Sequence, residues 1–352
     1  MPIYHKLGEI PRKRHTQFRK PDGGLYSEQL FSTEGFSDDY SLLYHCHPPT
    51  QIIKTEPQID VSPQIAEEKM LQHRCFEGFH IKPGGEFLES RVPVLVNGDC
   101  HIVLAAPTSG TKEYFYKNTD ADEMIFVHEG SGTVKTQYGE LPIGYGDYIV
   151  LPRGTIYQIE FNDDKNRLFI VESFTPLRYP KRYMSKFGQL MEHAPYCERD
   201  IRKPQDLKTH DEHGDFLIRA KKRGMLYGLH YGTHPFDVVG WDGCCYPYIF
   251  SIHDFEPITG RVHQPPPVHQ TFETATFEDS GEWCVAGGIT STKTMELDLN
   301  QGNNTLEFRP TGTDAPFLDK IVVKNPEEGQ NLRVLETAQN PSLEAEQSAR
   351  EF

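Results

Sequence analysis

The residue whose type and setting point most directly to chemistry is His269, which follows Pro265, Pro266, Pro267 and Val268. A neutral imidazole with a pKa near ~6.5 takes up and returns a proton around neutral pH, which is what a general base must do. Proline fixes φ, so the run before His269 restricts the loop and the direction of the ring. The same setting also suits an imidazole that is only hydrogen-bonded to backbone in a rigid loop. For His253 and His263, close by in sequence, the packing reading is kept. Cys244 and Cys245 are adjacent, whereas a zinc site wants spaced CxxC-type pairs, so they read as buried free thiols. Trp241, Tyr246 and Tyr248 read as packing aromatics.

The elements that must position these residues read as β-strands. Proline and glycine interrupt the chain at short intervals, and the apolar segments between them are brief and rich in β-branched and aromatic residues. Strands are expected over 101–106, 124–128, 148–152, 156–161 and 167–174, each bounded by Gly, Asn, Asp or Pro. Helical spacing is limited to 64–74 and 182–193, which does not make an α/β alternation. Between Asn118 and Tyr157 a polar loop, a strand, Gly130-Ser131-Gly132, Gly146-Asp147 and Pro152-Arg153-Gly154 follow in order. This series resembles the paired signature motifs of a cupin barrel. In metal-binding cupins the first motif supplies HxH and a glutamate, and the second supplies a histidine three residues after the PxG glycine. Here those places hold Asn118, Asp120 and Tyr157, so the resemblance implies a structural, metal-free barrel.

The most specific stretch runs from Gly240 to Phe272 and contains WDG, YPY, DFEPITGR and PPPVHQTF. It resembles homogentisate 1,2-dioxygenase, as do the basic start and the LYGLHYGTHP stretch from Leu226 to Pro235, so the resemblance covers residues 1–273. It implies a two-barrel β protein whose second barrel binds Fe(II). Homogentisate chelates that iron, dioxygen binds beside it, and the ring opens to maleylacetoacetate in tyrosine and phenylalanine catabolism. His269 matches the family histidine beside the substrate hydroxyl, where it would accept the phenolic proton. The resemblance also implies a homo-oligomer, a trimer or a hexamer of paired trimers.

After Glu273 the family segments HSNxDSDE and HPGGxPHGPHP, which supply two histidines and a glutamate to iron, are absent, and His269 is the last histidine of the chain. A non-heme Fe(II) oxygenase site uses two histidines and one carboxylate on one face, and residues 270–352 offer carboxylates only. Upstream histidines, among them His230, His234, His263 and His269, would have to be recruited in their place. No metal ligand is therefore assigned, and a non-catalytic fusion or truncated family member is the alternative to an active dioxygenase. Beyond Glu273 a β pattern resumes: 295–299 alternates, Leu306 and Phe308 continue it, and 321–323 forms a third strand. Residues 302–323 resemble the closing strands of carbohydrate-binding β-sandwich modules of the family 6 and 35 type, with Phe317 where a sugar-contacting asparagine is often found.

The fold class expected is thus mainly β, with a cupin-type (jelly-roll) barrel and a second, catalytic barrel truncated and replaced by a short β segment. Residues 1–235 form the N-terminal domain, 236–273 begin the catalytic domain, 274–325 are the atypical β segment and 326–352 a solvated tail. A formal net charge of -15 disfavours binding to a phosphate backbone, and no window has the ~20 apolar residues of a membrane span, so neither nucleic acid nor membrane is an expected partner. Seven cysteines without an export signal fit a reducing compartment, the cytoplasm. The basic start, with Lys6, Arg12, Lys13, Arg14, Arg19 and Lys20, reads as a solvated arm or an intersubunit strap.

Overall fold

Successive side chains of a strand point to opposite faces, so a sheet covered on both sides needs apolar residues at nearly every position. That is what the central strands carry: all five residues of Asp147–Leu151 are buried. The computed structural model describes residues 3–32, 34–36, 39–66, 75–256, 270–275, 280–284, 289–290, 320–324 and 331–336. Two units are distinguished. The first comprises Met1–Gln64 and Glu77–Lys293, the second Ile65–Phe76 and Thr294–Phe352. Among the described residues every regular element is a strand or a 3-10 turn.

In the first unit an eight-stranded sheet faces a seven-stranded one. The seven-stranded sheet runs in the order Ile201–Arg202, Tyr248–Ser251, Asp147–Leu151, Asp122–Glu129, Arg167–Ser173, Cys100–Ala105, Arg91–Val96, antiparallel throughout. The eight-stranded sheet contains Gly139–Ile143, Gly132–Thr136, Tyr157–Phe161, Phe115–Asn118, His213–Lys222 and Met225–Thr233 in that order. Ile125, Val127, Ile149, Leu151 and Ile170 from one sheet and Val134, Leu141, Tyr157 and Ile159 from the other form the aliphatic core between them. The alternate residues Met124, Tyr148, Val150 and Val171 face the other way, into an aromatic core with Trp241, Tyr246, Tyr248, Phe250 and Phe272. This is the mainly β, jelly-roll arrangement expected, and the five expected strands are all present within one or two residues of their bounds. Gly130-Ser131-Gly132 does not close a hairpin, because it carries the chain from the seven-stranded sheet to the eight-stranded one.

Trp241 is fully buried, and its Nε1 donates to the Tyr138 carbonyl at 2.9 Å. Tyr138 and Tyr246 pack on its ring with centroids at 5.0 and 5.1 Å. It lies on Val238–Gly243, the second strand of a four-stranded sheet ordered His5–Gly8, Val238–Gly243, Tyr40–His45, Ser27–Ser32. The basic start is therefore not a free arm: His5–Gly8 pairs with Val238–Gly243, and Arg14 donates to Asp242 and to the Tyr40 hydroxyl, each at 2.8 Å. The strand is paired through its backbone, while Lys6, Arg12, Lys13, Arg14 and Arg19 stay exposed.

One further expectation is corrected. The helix over 182–193 is instead a short 3-10 turn, Lys181–Tyr183, followed by irregular backbone, and that over 64–74 falls mostly outside the described residues. Val238–Gly243 and Tyr248–Ser251, which follow the expected boundary at residue 235, are strands of two sheets of the first unit. In the second unit Lys320–Lys324 pairs antiparallel with Asn331–Glu336, which places a strand inside the stretch read as solvated tail. The strand at 321–323 is thereby found, whereas 295–299, Leu306 and Phe308 lie outside the described residues.

Candidate functional site

The place where a cupin would hold its metal contains a buried network of charges. Asn118 ends its strand with Oδ1 accepting the backbone N–H groups of Asp120 and Ala121, and its Nδ2 donates to Glu172 Oε1 at 3.2 Å. The Asp120 carboxylate accepts the Arg223 backbone N–H at 2.8 Å and so serves a turn. The Tyr157 hydroxyl donates to Glu123 Oε2 at 2.7 Å. From Arg91–Val96, the edge strand, Arg91 reaches inward, and its Nη2 lies 2.8 Å from Glu123 Oε1 and 2.7 Å from Glu172 Oε1. Lys221 Nζ donates to both Glu172 oxygens at 2.7 and 2.6 Å, and His101 Nδ1 lies 3.2 Å from Oε2. The guanidinium also lies over the Phe87 and Tyr116 rings, at 5.4 and 5.7 Å from their centroids.

Burial alone would raise the Glu172 carboxyl, but Arg91, His101 and Lys221 together outweigh it and hold the group well below the usual carboxylate range. Burial pushes the Tyr157 phenol far above its ordinary value, with Glu123 adding to the effect, so the phenol stays a donor. The cationic centre of this network is a guanidinium that ties together strands of the seven-stranded sheet, while Asn118, Tyr157 and Lys221 of the eight-stranded sheet bond the same two carboxylates and link the sheets. Glu123 and Arg91 were not singled out in the sequence, although Glu123 lies immediately before the strand expected over 124–128.

His269, the one catalytic candidate, lies outside the described residues, as do His263 and the three prolines. The strand that begins at the next residue is described. In Gln270–Ala275 the Gln270 carbonyl accepts from the Tyr183 hydroxyl at 3.0 Å, and the Thr271 carbonyl accepts from the Tyr196 hydroxyl at 2.6 Å. Glu273 accepts the Lys181 backbone N–H at 2.7 Å, and Phe272 is fully buried against Tyr148, Tyr248 and Phe250. The chain is thus held by side-chain hydrogen bonds from Gln270 onward.

The described upstream candidates, His230 and His234, are committed elsewhere. His230 Nδ1 is bonded to Asp215 and its Nε2 lies 3.3 Å from Glu56, which Arg219 also binds. His234 Nδ1 accepts the Phe236 N–H at 3.0 Å while the ring stacks on His210 at 4.1 Å. Burial first, then the neighbouring His210, bring its pKa down to about 4. His45, unremarked in the sequence, has Nδ1 2.7 Å from Asp237 and Nε2 2.9 Å from Gln29. Trp241, Tyr246 and Tyr248 are buried packing residues, as expected, and Cys244 and Cys245 are free thiols, the second buried. Among the described residues no group of three or more His, Cys, Asp or Glu side chains is arranged to hold a metal. The described residues therefore do not fit a site of two histidines and one carboxylate.

These features define a mainly β protein of jelly-roll type whose interior is closed by an ion-pair network. Residues 10–252 match the family described as homogentisate 1,2-dioxygenase N-terminal. The chain belongs to the homogentisate 1,2-dioxygenase family. A Saccharolobus solfataricus protein that carries the name of a dioxygenase is 39% identical over 278 residues, 79% of this chain and 71% of its own length. Among solved structures, a cupin-2 domain containing protein of Shewanella frigidimarina is 18% identical over 24% of this chain and 79% of that one, with a TM-score of 0.22. The nucleoside dehydratase Pac13 is 16% identical over 26% of this chain and 83% of its own, with a TM-score of 0.21. The family match ends at residue 252, and it lends nothing to the likeness of residues 302–323 to a carbohydrate-binding module.

Proposed function

We propose that this protein is a homogentisate 1,2-dioxygenase-type member of its family that takes homogentisate through the His269 loop, and that its 352 residues do not complete the family's iron site. The observation that carries the reading is the family match over residues 10–252 together with the PPPVHQTF stretch that leads into the anchored strand Gln270–Ala275. The family's reaction is dioxygen-dependent cleavage of homogentisate to maleylacetoacetate, a step of tyrosine and phenylalanine catabolism in the cytoplasm, and a chain with a complete iron site would carry it out as a trimer or hexamer. Fe(II) is the family's cofactor. No histidine follows His269, and among the described residues no group of three or more His, Cys, Asp or Glu side chains is arranged to hold it. What this chain contributes is position: prolines restrict the loop before His269, and buried tyrosine hydroxyls hold the strand after it.

The test is the iron content of the purified chain after anaerobic loading with Fe(II), paired with oxygen uptake on homogentisate and with homogentisate binding. Binding that is lost in His269→Ala, with neither tight iron nor uptake, is the expected result. One tight iron per chain with uptake would overturn the incomplete site, and no homogentisate binding at all would overturn the substrate.

A further inference from the structure

Between the four-stranded and eight-stranded sheets of the first unit lies a cavity of about 60 Å³ whose lining includes Gln29, His45, Lys117, Tyr231, His234 and Asp237. The Asp237 carboxylate is already engaged: His45 Nδ1 lies 2.7 Å from one oxygen, and the His47 backbone N–H donates to the other at 2.9 Å. His45 in turn meets Gln29 through Nε2. Lys117 differs from these residues. Its ammonium donates to the Tyr231 hydroxyl at 3.2 Å and lies 5.7 Å from the centre of the same ring. Among the described residues no carboxylate lies within ion-pair distance of Lys117, although the side chain is half-buried.

A partly desolvated ammonium beside an open volume gains most from an anion that enters it. The Tyr231 hydroxyl accepts from Lys117 and keeps its own proton to donate to the same anion. His234, whose Nδ1 accepts the Phe236 N–H, is a neutral ring at pH 7 and leaves the charge to Lys117. The cavity has room for about four water molecules, the size of a carboxylate with one or two carbons attached. Lys117 supplies a single positive charge, which matches a monoanion better than a dianion.

We propose that this cavity binds a small monoanionic carboxylate, held by the Lys117 ammonium and the Tyr231 hydroxyl. Its recognition chemistry does not rest on the ring-cleavage reading.

Titration of the full chain with carbon-13 acetate at constant ionic strength, read by NMR line broadening, tests it. Saturable binding in the millimolar range is expected, weakened about tenfold or more in Lys117→Met and severalfold in Tyr231→Phe. Lys135→Met, which removes a surface lysine paired with Glu160, serves as control and leaves the titration unchanged. Acetate binding that survives Lys117→Met would overturn the proposal, as would saturable binding of phosphate or methylammonium in its place. If Lys117→Met does not fold, judged by circular dichroism, Tyr231→Phe decides, and unaltered acetate binding there overturns the proposal.

Discussion

Arg91 and Glu172 form an ion pair of 2.7 Å in the interior of the sandwich, where a cupin of the metal-binding kind would carry its ion. Arg91→Met keeps most of the side-chain volume and leaves Glu123 and Glu172 buried with less compensation. We expect a loss of about 3–5 kcal/mol in unfolding free energy, measured by chemical denaturation. The companion Glu172→Gln keeps the shape and removes one charge, and it should weaken the dependence of stability on acid. The Glu172 carboxyl is depressed in the folded state from an ordinary value of 4.5, so its contribution is present above pH 4.5 and lost as pH falls below it. A wild-type acid limb identical to that of Glu172→Gln would contradict this.

Asp122 and His234 oppose one another across mildly acidic pH. Burial raises Asp122 from 3.8 to about 6 even though it accepts the backbone N–H groups of Arg153 and Leu177. Its stabilising contribution is therefore complete below pH 3.8 and is lost as pH rises through 6, on the order of 3 kcal/mol in all. His234 is lowered from 6.5 to about 4, so the unfolded chain takes up its proton first and stability falls as pH drops from 6.5 towards 4. Asp122→Asn should uncover a steeper loss of stability on acidification across this window than wild type shows, and His234→Gln a gain. Parallel profiles for the three proteins would refute both assignments.

The strand after His269 depends on two phenols. Tyr196→Phe removes the donor to the Thr271 carbonyl and leaves a buried acceptor unpaired, a cost of about 1–3 kcal/mol. The loss should appear as faster amide hydrogen exchange over Gln270–Ala275 before it appears in global stability, and Tyr183→Phe should add to it. Weaker homogentisate binding in the double variant would connect the anchor to the loop it follows.

Trp241→Ala empties the centre of the aromatic core and is expected to cost about 3–5 kcal/mol. Trp241→Phe loses the indole donor to Tyr138 as well as volume and should fall between that variant and wild type in denaturation midpoint.

Much of the fold was legible in the residues. The five expected strands were found because each is a short apolar run between turn formers, a signal that persists whichever face is buried. The partners of those strands were not legible, since Val238–Gly243 joins Tyr40–His45 and His5–Gly8 by pairing that no local pattern announces. Helical spacing over 182–193 misled because the segment folds back on itself through the bridge between Met184 and Leu190 and is held by the Tyr183 hydrogen bond to Gln270, 87 residues away. At the site, Asn118, Asp120 and Tyr157 could be mapped from the motif, but Arg91 could not. It comes from an edge strand outside both motifs and reveals its role only where it meets Glu123 and Glu172. His45 likewise gave no signal, because its partner Asp237 is 192 residues away.

The pairing of His5–Gly8 with Val238–Gly243 also bears on how the protein is made. The neighbouring residues Tyr4 and Asp242, joined by a hydrogen bond, are 238 positions apart. At a synthesis rate of about 5–20 residues per second, the first strand leaves the ribosome roughly 10–50 s before its partner. During that interval Tyr40–His45 presents to the cell the edge that Val238–Gly243 will cover, with only Ser27–Ser32 on its other side. The nascent chain thus passes through a period in which a chaperone, or a second nascent copy, competes with its own unmade strand.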